Sequence, residues 1–438
     1  MSDKSNLEDF IEGKSEMEEN KEDIIETQEW DWIPLSELIE PILGKTPKRS
    51  EDQYWEEGDI KWASAKDISQ SYTRHIYETE EKMTKAGKEA SNAKIMPEGT
   101  VVVTARGTLG EVIQLGEPMT FNQSCYALRT NDMLLDDYLY YAWQYVFGQI
   151  EAISYGTVFD TITMKSFKDI EIPFPPVEIQ RKIASALTGF DNKIETNNRI
   201  NELLEETAQS LYQHWFVNFK PYEDFKDSSL GKIPVEFEVK SLTEISDVTY
   251  GYGFDSDDFN ENKDGYPVIR NGDLPNKTVD NSTDKYLNKE FDSRYEVLPG
   301  DLIVTMDRYF DPYLWRGERA ALNQRICKFE GISKSHSNLF LYYLIEKPIN
   351  RVEKAKTGTT LPHLGKGDID NIDVIVPDSE SLSYFNKLSK SIYEEMIRLP
   401  KENRHLAEAR DTLLAKLMSG EVRVGLKKDA GVKTIQEG

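Results

Sequence analysis

A set of short motifs recurs along this chain at a separation of 202 residues. The run Ile95-Met96-Pro97-Glu98-Gly99-Thr100-Val101-Val102-Val103-Thr104 is matched by Val297-Leu298-Pro299-Gly300-Asp301-Leu302-Ile303-Val304-Thr305, with Pro97 and Pro299 in register. Gly156-Thr157 matches Gly358-Thr359, and Ile170-Glu171-Ile172-Pro173-Phe174-Pro175 matches Ile372-Asp373-Val374-Ile375-Val376-Pro377. Asn122-Gln123 matches Asn323-Gln324 at 201. Solenoid and propeller repeats have periods of roughly 20–50 residues, so this spacing marks a duplicated domain pair. Whatever fold the first copy adopts, the second must adopt as well.

Each copy carries the same order of signals. β-branched runs bounded by Gly and Pro predict strands over 100–104 and 301–305. Short helices are expected over 136–149 and 337–345, then a strand that ends on proline. A polar segment with a heptad period closes each copy. Ile183, Phe190, Asn197, Leu204 and Leu211 recur every seven residues, with Leu187, Ile194, Asn201, Ala208 and Trp215 on the second seam position. In the second copy Phe385, Ile392, Leu399, Leu406 and Leu413 recur likewise, with Met396, Asn403 and Leu417 beside them. The shared frame predicts two long helices that pair within the chain, with Asn201 and Asn403 as equivalent seam asparagines that fix register. Pro400 should kink or split the second helix.

The fold class expected is therefore α+β: two tandem domains of mixed α/β structure, separated by two long helices pairing as an antiparallel coiled coil. The predicted boundaries are an acidic, disordered tail over 1–29, a first domain over 30–176 and a central helix over 177–218. A linker over 219–230, a second domain over 231–377, a C-terminal helix over 378–420 and a tail over 421–438 follow.

Composition bears on partners. The net charge of −25 argues against nucleic acid when taken whole, but residues 1–31 hold 12 acidic and 3 basic side chains, a net of −9. The remaining −16 is spread over domains that can still keep cationic loops, because distant charges are screened beyond ~8 Å at physiological salt. A mean hydropathy of −0.59 without a long apolar run excludes a transmembrane helix, and the acidic N-terminus lacks a secretory apolar core. The expectation is a cytoplasmic protein with no membrane partner. Two cysteines, Cys125 and Cys327, cannot make a disulfide framework or a Cys-based zinc site.

Catalytic signatures are missing. Gly44-Lys45-Thr46 imitates the end of a phosphate loop, but Ile39 stands where its first glycine belongs. Tyr250-Gly251-Tyr252-Gly253 faintly resembles a glycine motif of adenosylmethionine-dependent methyltransferases, without the catalytic tetrapeptide that would accompany it. Asp59-Ile60-Lys61 and Glu238-Val239-Lys240 match a nuclease-like acid-x-Lys pattern that is common by chance. The five histidines have no metal-ligand spacing, so no metal site is expected.

The loops between strands instead mix cations, amides, hydroxyls and aromatics. In the first copy the candidates for DNA contact are Lys45, Thr46, Lys48, Arg49, Lys61, Lys66, Arg106, Thr108, Asn122, Gln123, Tyr155 and Thr157. In the second they are Tyr250, Tyr252, Arg270, Asn271, Arg308, Arg316, Arg319, Asn323, Gln324, Lys356, Thr357 and Thr359. Arg and Lys read guanine, Asn and Gln read adenine, and Lys, Ser and Thr hold phosphates. A fused methyltransferase or nuclease, or a helical scaffold without base readout, are the alternative readings.

With these residues in view, the chain resembles the specificity subunit of type I restriction-modification systems. The first copy carries Gly44-Lys45-Thr46-Pro47, Gly58-Asp59-Ile60-Lys61-Trp62, Asp67-Ile68 and the box Pro175-Pro176-Val177-Glu178-Ile179-Gln180-Arg181-Lys182-Ile183-Ala184. That box is similar to the family's Pro-Pro-x-x-Glu-Gln-x-x-Ile-Ala, with Ile179 interposed. The second copy opens with Gly231-Lys232-Ile233-Pro234 and closes with Leu417-Met418-Ser419-Gly420, but its box retains only Pro377, followed by Asp378 to Ser381. The resemblance covers about residues 30 to 424. It implies two target recognition domains that each read half of a bipartite, asymmetric double-stranded DNA site. It further implies helices that set the spacing and dock two methylation subunits, with restriction subunits joining them. This chain would be non-catalytic and bind no cofactor; adenosylmethionine, ATP and Mg would belong to the partners.

Overall fold

The computed structural model describes residues 30–71, 73–153, 161–274, 283, 285–356 and 362–423, apart from the side chains of 149–153. The chain forms two compact units, one of residues 1–187 with 411–438 and one of residues 188–410. Of the two heptad helices, residues 177–187 and 411–418 fall in the first unit and residues 188–212 and 379–410 in the second. Four long helices occur among the described residues: α1 (Asp136–Ile153), α2 (Val177–Tyr212), α3 (Asn338–Ala355) and α4 (Ser379–Met418).

In the first unit, β1 (Ile39–Leu43), β2 (Ile60–Ala63), β3 (Val101–Thr104), β4 (Val112–Leu115), β5 (Thr120–Phe121) and β6 (Cys125–Thr130) carry the site. β1, β6, β3 and β4 lie side by side in an antiparallel sheet, with Leu43 opposite Tyr126 and Thr104 opposite Cys125. β2 and β5 pair in parallel, Trp62 with Thr120 and Ala63 with Phe121. Val101, Val102 and Val103 are wholly buried, as expected of a strand with both faces covered. α1 lays Tyr138, Leu139, Tyr141 and Trp143 on this sheet. Ile183, Ala184 and Leu187 of α2 join the same core with Leu414, Leu417 and Met418 of α4.

The second unit repeats the plan with β7 (Ser246–Tyr250), β8 (Tyr266–Ile269), β9 (Leu302–Thr305), β10 (Pro312–Leu314), β11 (Ala320–Leu322) and β12 (Ile326–Gly331). The sheet order is β7-β12-β9-β10, with Tyr250 opposite Cys327 and Thr305 opposite Ile326. β8 and β11 pair in parallel, Val268 with Ala321 and Ile269 with Leu322. The predicted linker holds a strand, Phe225–Ser228, in a hairpin with Gly231–Pro234.

Within this unit the long helices run antiparallel: Asp191 meets Arg410, Asn197 meets Asn403, and Tyr212 meets Phe385. Phe190, Leu204, Leu211, Trp215, Ile392, Asn403, Leu406 and Leu413 are partly buried and the other predicted seam residues are buried, so none of them is fully exposed. The asparagines differ from expectation. Asn197 donates to Asn403 at 2.8 Å, Asn403 donates to Asn198 at 2.7 Å, and Asn201 turns to Glu205 of its own helix at 3.0 Å.

Three helices depart from their sequence signals. α4 passes through Pro400 without interruption: Met396, whose carbonyl loses its N–H partner at the proline, and Leu399 are both buried, and their packing holds the turn. α3 likewise continues past Pro348 to Ala355, held by Ile349, which is wholly buried. α1 extends to Ile153. No helix among the described residues is long and apolar enough to cross a membrane.

Candidate nucleic-acid interface

The loops at one edge of each sheet are built from the same backbone hydrogen bonds. In the first unit the chain leaves β1 at Gly44, whose N–H donates to the Cys125 carbonyl at 3.0 Å, while Lys45 N–H donates to Phe121 at 2.9 Å. A Cβ at Gly44 would overlap the Asn122 carbonyl, so glycine is needed for the close pass. Ala105 N–H, just after β3, donates to Ser124 at 2.6 Å, and Ile162 N–H donates back to Ala105 at 3.1 Å. After β2, Ser64 and Asp67 form a capping box.

The second unit reproduces each of these. Gly251 N–H donates to Ile326 at 2.9 Å and Tyr252 N–H to Leu322 at 3.0 Å, and a Cβ at Gly251 would overlap the Asn323 carbonyl. Met306 N–H donates to Arg325 at 2.9 Å and Leu364 N–H to Met306 at 2.8 Å. After β8, the Arg270 N–H bonds Asp273 as Ser64 bonds Asp67. The frame therefore places Lys45, Thr46, Gly107, Gln123 and Ser124 where the second unit has Tyr252, Gly253, Arg308, Gln324 and Arg325.

These rims carry different side chains. Lys45, Lys48, Arg106, Thr108 and Gln123 are exposed in the first unit, and Thr46 donates to Gln123. Lys45, Lys48 and Arg106 have no side-chain hydrogen bond or ion pair among the described residues. In the second unit Tyr252 is 51% exposed, and Arg308, Gln324 and Arg325 are exposed beside it. Arg325 was not singled out from the sequence, although it follows the repeated Asn-Gln pair directly.

Other candidates are tied into the protein. Arg49 pairs with Glu81 and stacks over Trp55 at 4.2 Å and Trp62 at 4.6 Å. Lys61 is clamped by Glu117 and Glu78, hydrogen bonds that raise its pKa above the usual lysine value, and Lys66 pairs with Glu80 at 2.7 Å. Arg270 forms a two-pronged pair with Asp273 at 2.8 and 2.7 Å. Arg316 pairs with Glu205 of α2 and lies away from the rim, a correction to its expected place. Arg319 pairs with Glu296 over the Tyr266 ring. Lys356 bonds Asp368 at 2.6 Å and the His363 carbonyl at 2.8 Å. On so acidic a body, a cation within reach of a carboxylate is taken by it.

The amides divide as well. Asn122 accepts from Ser124 N–H at 3.0 Å and Asn323 from Gln324 N–H at 2.9 Å, so both shape their loops while the following glutamines face out. Asn271 donates to the Asp307 carbonyl at 3.0 Å. Tyr250 packs against the core, and burial pushes its hydroxyl up to about 12. His363 Nδ1 meets the Asp307 carboxylate at 2.7 Å. Tyr155, Thr157, Thr357 and Thr359 lie outside the described residues. Among the described residues no group of three His, Cys, Asp or Glu side chains is placed to hold a metal.

The two helix bases use different pins. Gln180, wholly buried, accepts from Leu135 N–H at 3.1 Å and donates to the carbonyls of Met133 at 3.0 Å and Pro175 at 2.9 Å. Asp378 instead caps α4, accepting from Glu380 N–H at 2.9 Å and Ser381 N–H at 3.0 Å. This accounts for the altered box of the second copy.

Comparison with known proteins agrees with this architecture. The family model described as "Type I restriction modification DNA specificity domain" matches residues 27–206 and 234–397. The chain is 28% identical over 413 residues to the Type I restriction enzyme MjaIX specificity subunit of Methanocaldococcus jannaschii, covering 91% of this chain and 94% of that one. It is 26% identical over 415 residues to the MjaVIII specificity subunit of the same organism, with the same coverage. The crystal structure of the type I restriction-modification S subunit from M. genitalium shares the fold, with a TM-score of 0.54 at 18% identity over 90% of this chain and 98% of that chain.

Proposed function

The chain belongs to the type I restriction-modification DNA specificity family, a non-catalytic specificity subunit, and on that footing we propose how it reads DNA. Each unit reads one half of a bipartite, asymmetric site through its loop rim. The paired helices set the distance between half-sites and dock two methylation subunits, which restriction subunits join. Adenosylmethionine, ATP and Mg act on those partners.

The observation that carries this reading is the repeated frame with unlike rims: Lys45, Arg106 and Gln123 in one unit, Tyr252, Arg308, Gln324 and Arg325 in the other. Two equal frames suit two half-sites of the same geometry, and unlike side chains suit two different sequences. Because most of the candidate cations pair with carboxylates, binding by this chain alone is weak and the assembled complex supplies further phosphate contacts. The test is a methylome of cells with and without this gene. N6-methyladenine at a two-part, non-palindromic motif only when the gene is present is expected. The same motif in cells lacking the gene would overturn the reading.

A further inference from the structure

Arg308 is held in a backbone conformation that arginine avoids. Its φ is +68°, in the left-handed region where a Cβ crowds the following carbonyl. The first unit puts Gly107 at the matched position, with φ +86°, so this frame accepts glycine there without penalty. The second unit carries a long cation at that position instead.

The strained residue is fixed by its neighbours. Arg308 N–H donates to Pro362 at 3.1 Å, and the carbonyl of Asp307 accepts from Asn271 at 3.0 Å. The Asp307 carboxylate meets His363 Nδ1 at 2.7 Å and Arg325 Nη1 at 3.5 Å. The Arg308 side chain is exposed, with no hydrogen bond or ion pair among the described residues. Gln324 and Tyr252 stand on the same rim, joined by the Gln324 N–H to Tyr252 carbonyl bond at 2.9 Å. Strained residues persist where the surroundings over-determine them and cluster where a ligand is gripped. A guanidinium fork free to point outward matches the O6 and N7 acceptors of guanine.

We propose that Arg308 selects a guanine in the half-site of the second unit, and that Asp307 is the positioning residue that holds its loop. This rests on the reading that the units recognise DNA. The test maps the methylated motif in cells carrying the full restriction-modification complex with wild-type chain, Arg308→Gly, Arg308→Lys or Asp307→Asn. Arg308→Gly should relax one guanine of one half-site to any base, with a roughly 10- to 100-fold loss of discrimination there. The other half-site and the spacing should stay unchanged, and the melting temperature should not fall, because glycine takes the φ freely. Arg308→Lys keeps the charge but loses the fork and should relax the same position.

A motif unchanged in Arg308→Gly overturns the inference, as does methylation weakened evenly at every base, which marks a phosphate contact. Asp307→Asn should blur the same position; a lowered melting temperature with an intact motif would reduce Asp307 to a structural role and overturn its part. If the wild-type chain itself directs no two-part motif, the functional reading fails. If it does and Arg308→Gly leaves the motif intact, this inference alone fails.

Discussion

The first unit offers lysines and one arginine from its rim, Lys45, Lys48 and Arg106, around the Thr46–Gln123 contact. The second offers an aromatic ring and two arginines, Tyr252, Arg308 and Arg325, around Gln324. Beneath them the hydrogen bonds are the same, from Gly44 and Gly251 through Ala105 and Met306. Constraint and freedom are therefore separated within a few residues. Where the chain passes close to itself, only glycine fits and the position cannot drift. One residue further out the side chain carries no share of the fold and is free to specialise.

That separation can be broken most directly at the frame. Gly44→Ala and Gly251→Ala each drive a methyl into a backbone carbonyl and should cost about 3 kcal/mol, as severe overpacking does. Calorimetry of the full chain should show the two variants losing comparable stability, each in its own unit. A mild effect in one and a large effect in the other would mean that the frames are not equivalent.

The rim should respond in the opposite way. Gln123→Ala and Gln324→Ala should leave stability within about 0.5 kcal/mol, since both side chains are exposed and the one bond lost, from Thr46 to Gln123, is exposed too. Each should lower discrimination at one half-site only, by about 1–2 kcal/mol if the amide reads a base. Competition binding by the assembled complex against singly substituted sites checks this. Equal losses at both half-sites would contradict the assignment of one rim to each half.

Cations sharpen the same contrast. The Lys48 side chain has no hydrogen bond or ion pair among the described residues, whereas its neighbour Arg49 is held by Glu81 and two tryptophans. Lys48→Ala should reduce the salt slope of binding by about one, or about 3-fold in affinity between 50 and 200 mM salt. Arg49→Ala should leave the slope unchanged. A fall in slope with Arg49→Ala would show that its pairing opens when DNA binds.

Much of this was legible in the sequence, and for a physical reason. The duplication, the buried strand runs and the heptad seams are patterns of apolar burial: a strand covered on both faces leaves an unbroken apolar run, as Val101 to Val103 and Leu302 to Val304 do, and a helix seam leaves a seven-residue period. The positions of Asn122 and Asn323 were also legible, but not their roles, because an amide that shapes its own loop looks identical to one that reads a base. Arg316 and Arg319 illustrate the deeper gap. Whether a cation is free depends on which carboxylate lies beside it in space, such as Glu205 for Arg316, 111 residues away. No local pattern carries that. The continuation of α4 through Pro400 was hidden in the same way, since packing overrode a local breaker.

The smallest contrast lies at the helix bases and depends on pH. Asp378 is partly buried, which pushes its pKa up, but hydrogen bonds from Ser381 and Glu380 outweigh that and hold it below the usual aspartate value. A carboxyl whose folded pKa is depressed binds its proton less readily in the native state than in the unfolded chain. Its contribution is therefore fully present above the unfolded value of about 3.9 and is lost as pH falls through the folded pKa. Asp378→Asn keeps a capping amide and loses the charge at the helix N-terminus, a difference of about 0.5 kcal/mol. The wild-type chain should lead this variant in melting temperature at pH 7 and lose that lead as the medium is acidified below about pH 4. Gln180, the neutral pin of the first helix base, has nothing to titrate, so Gln180→Ala should cost the same at both ends of that range. A wild-type lead over Asp378→Asn that persists through strong acid would mean that the cap acts by shape alone, and the two bases would then differ in residue but not in physics.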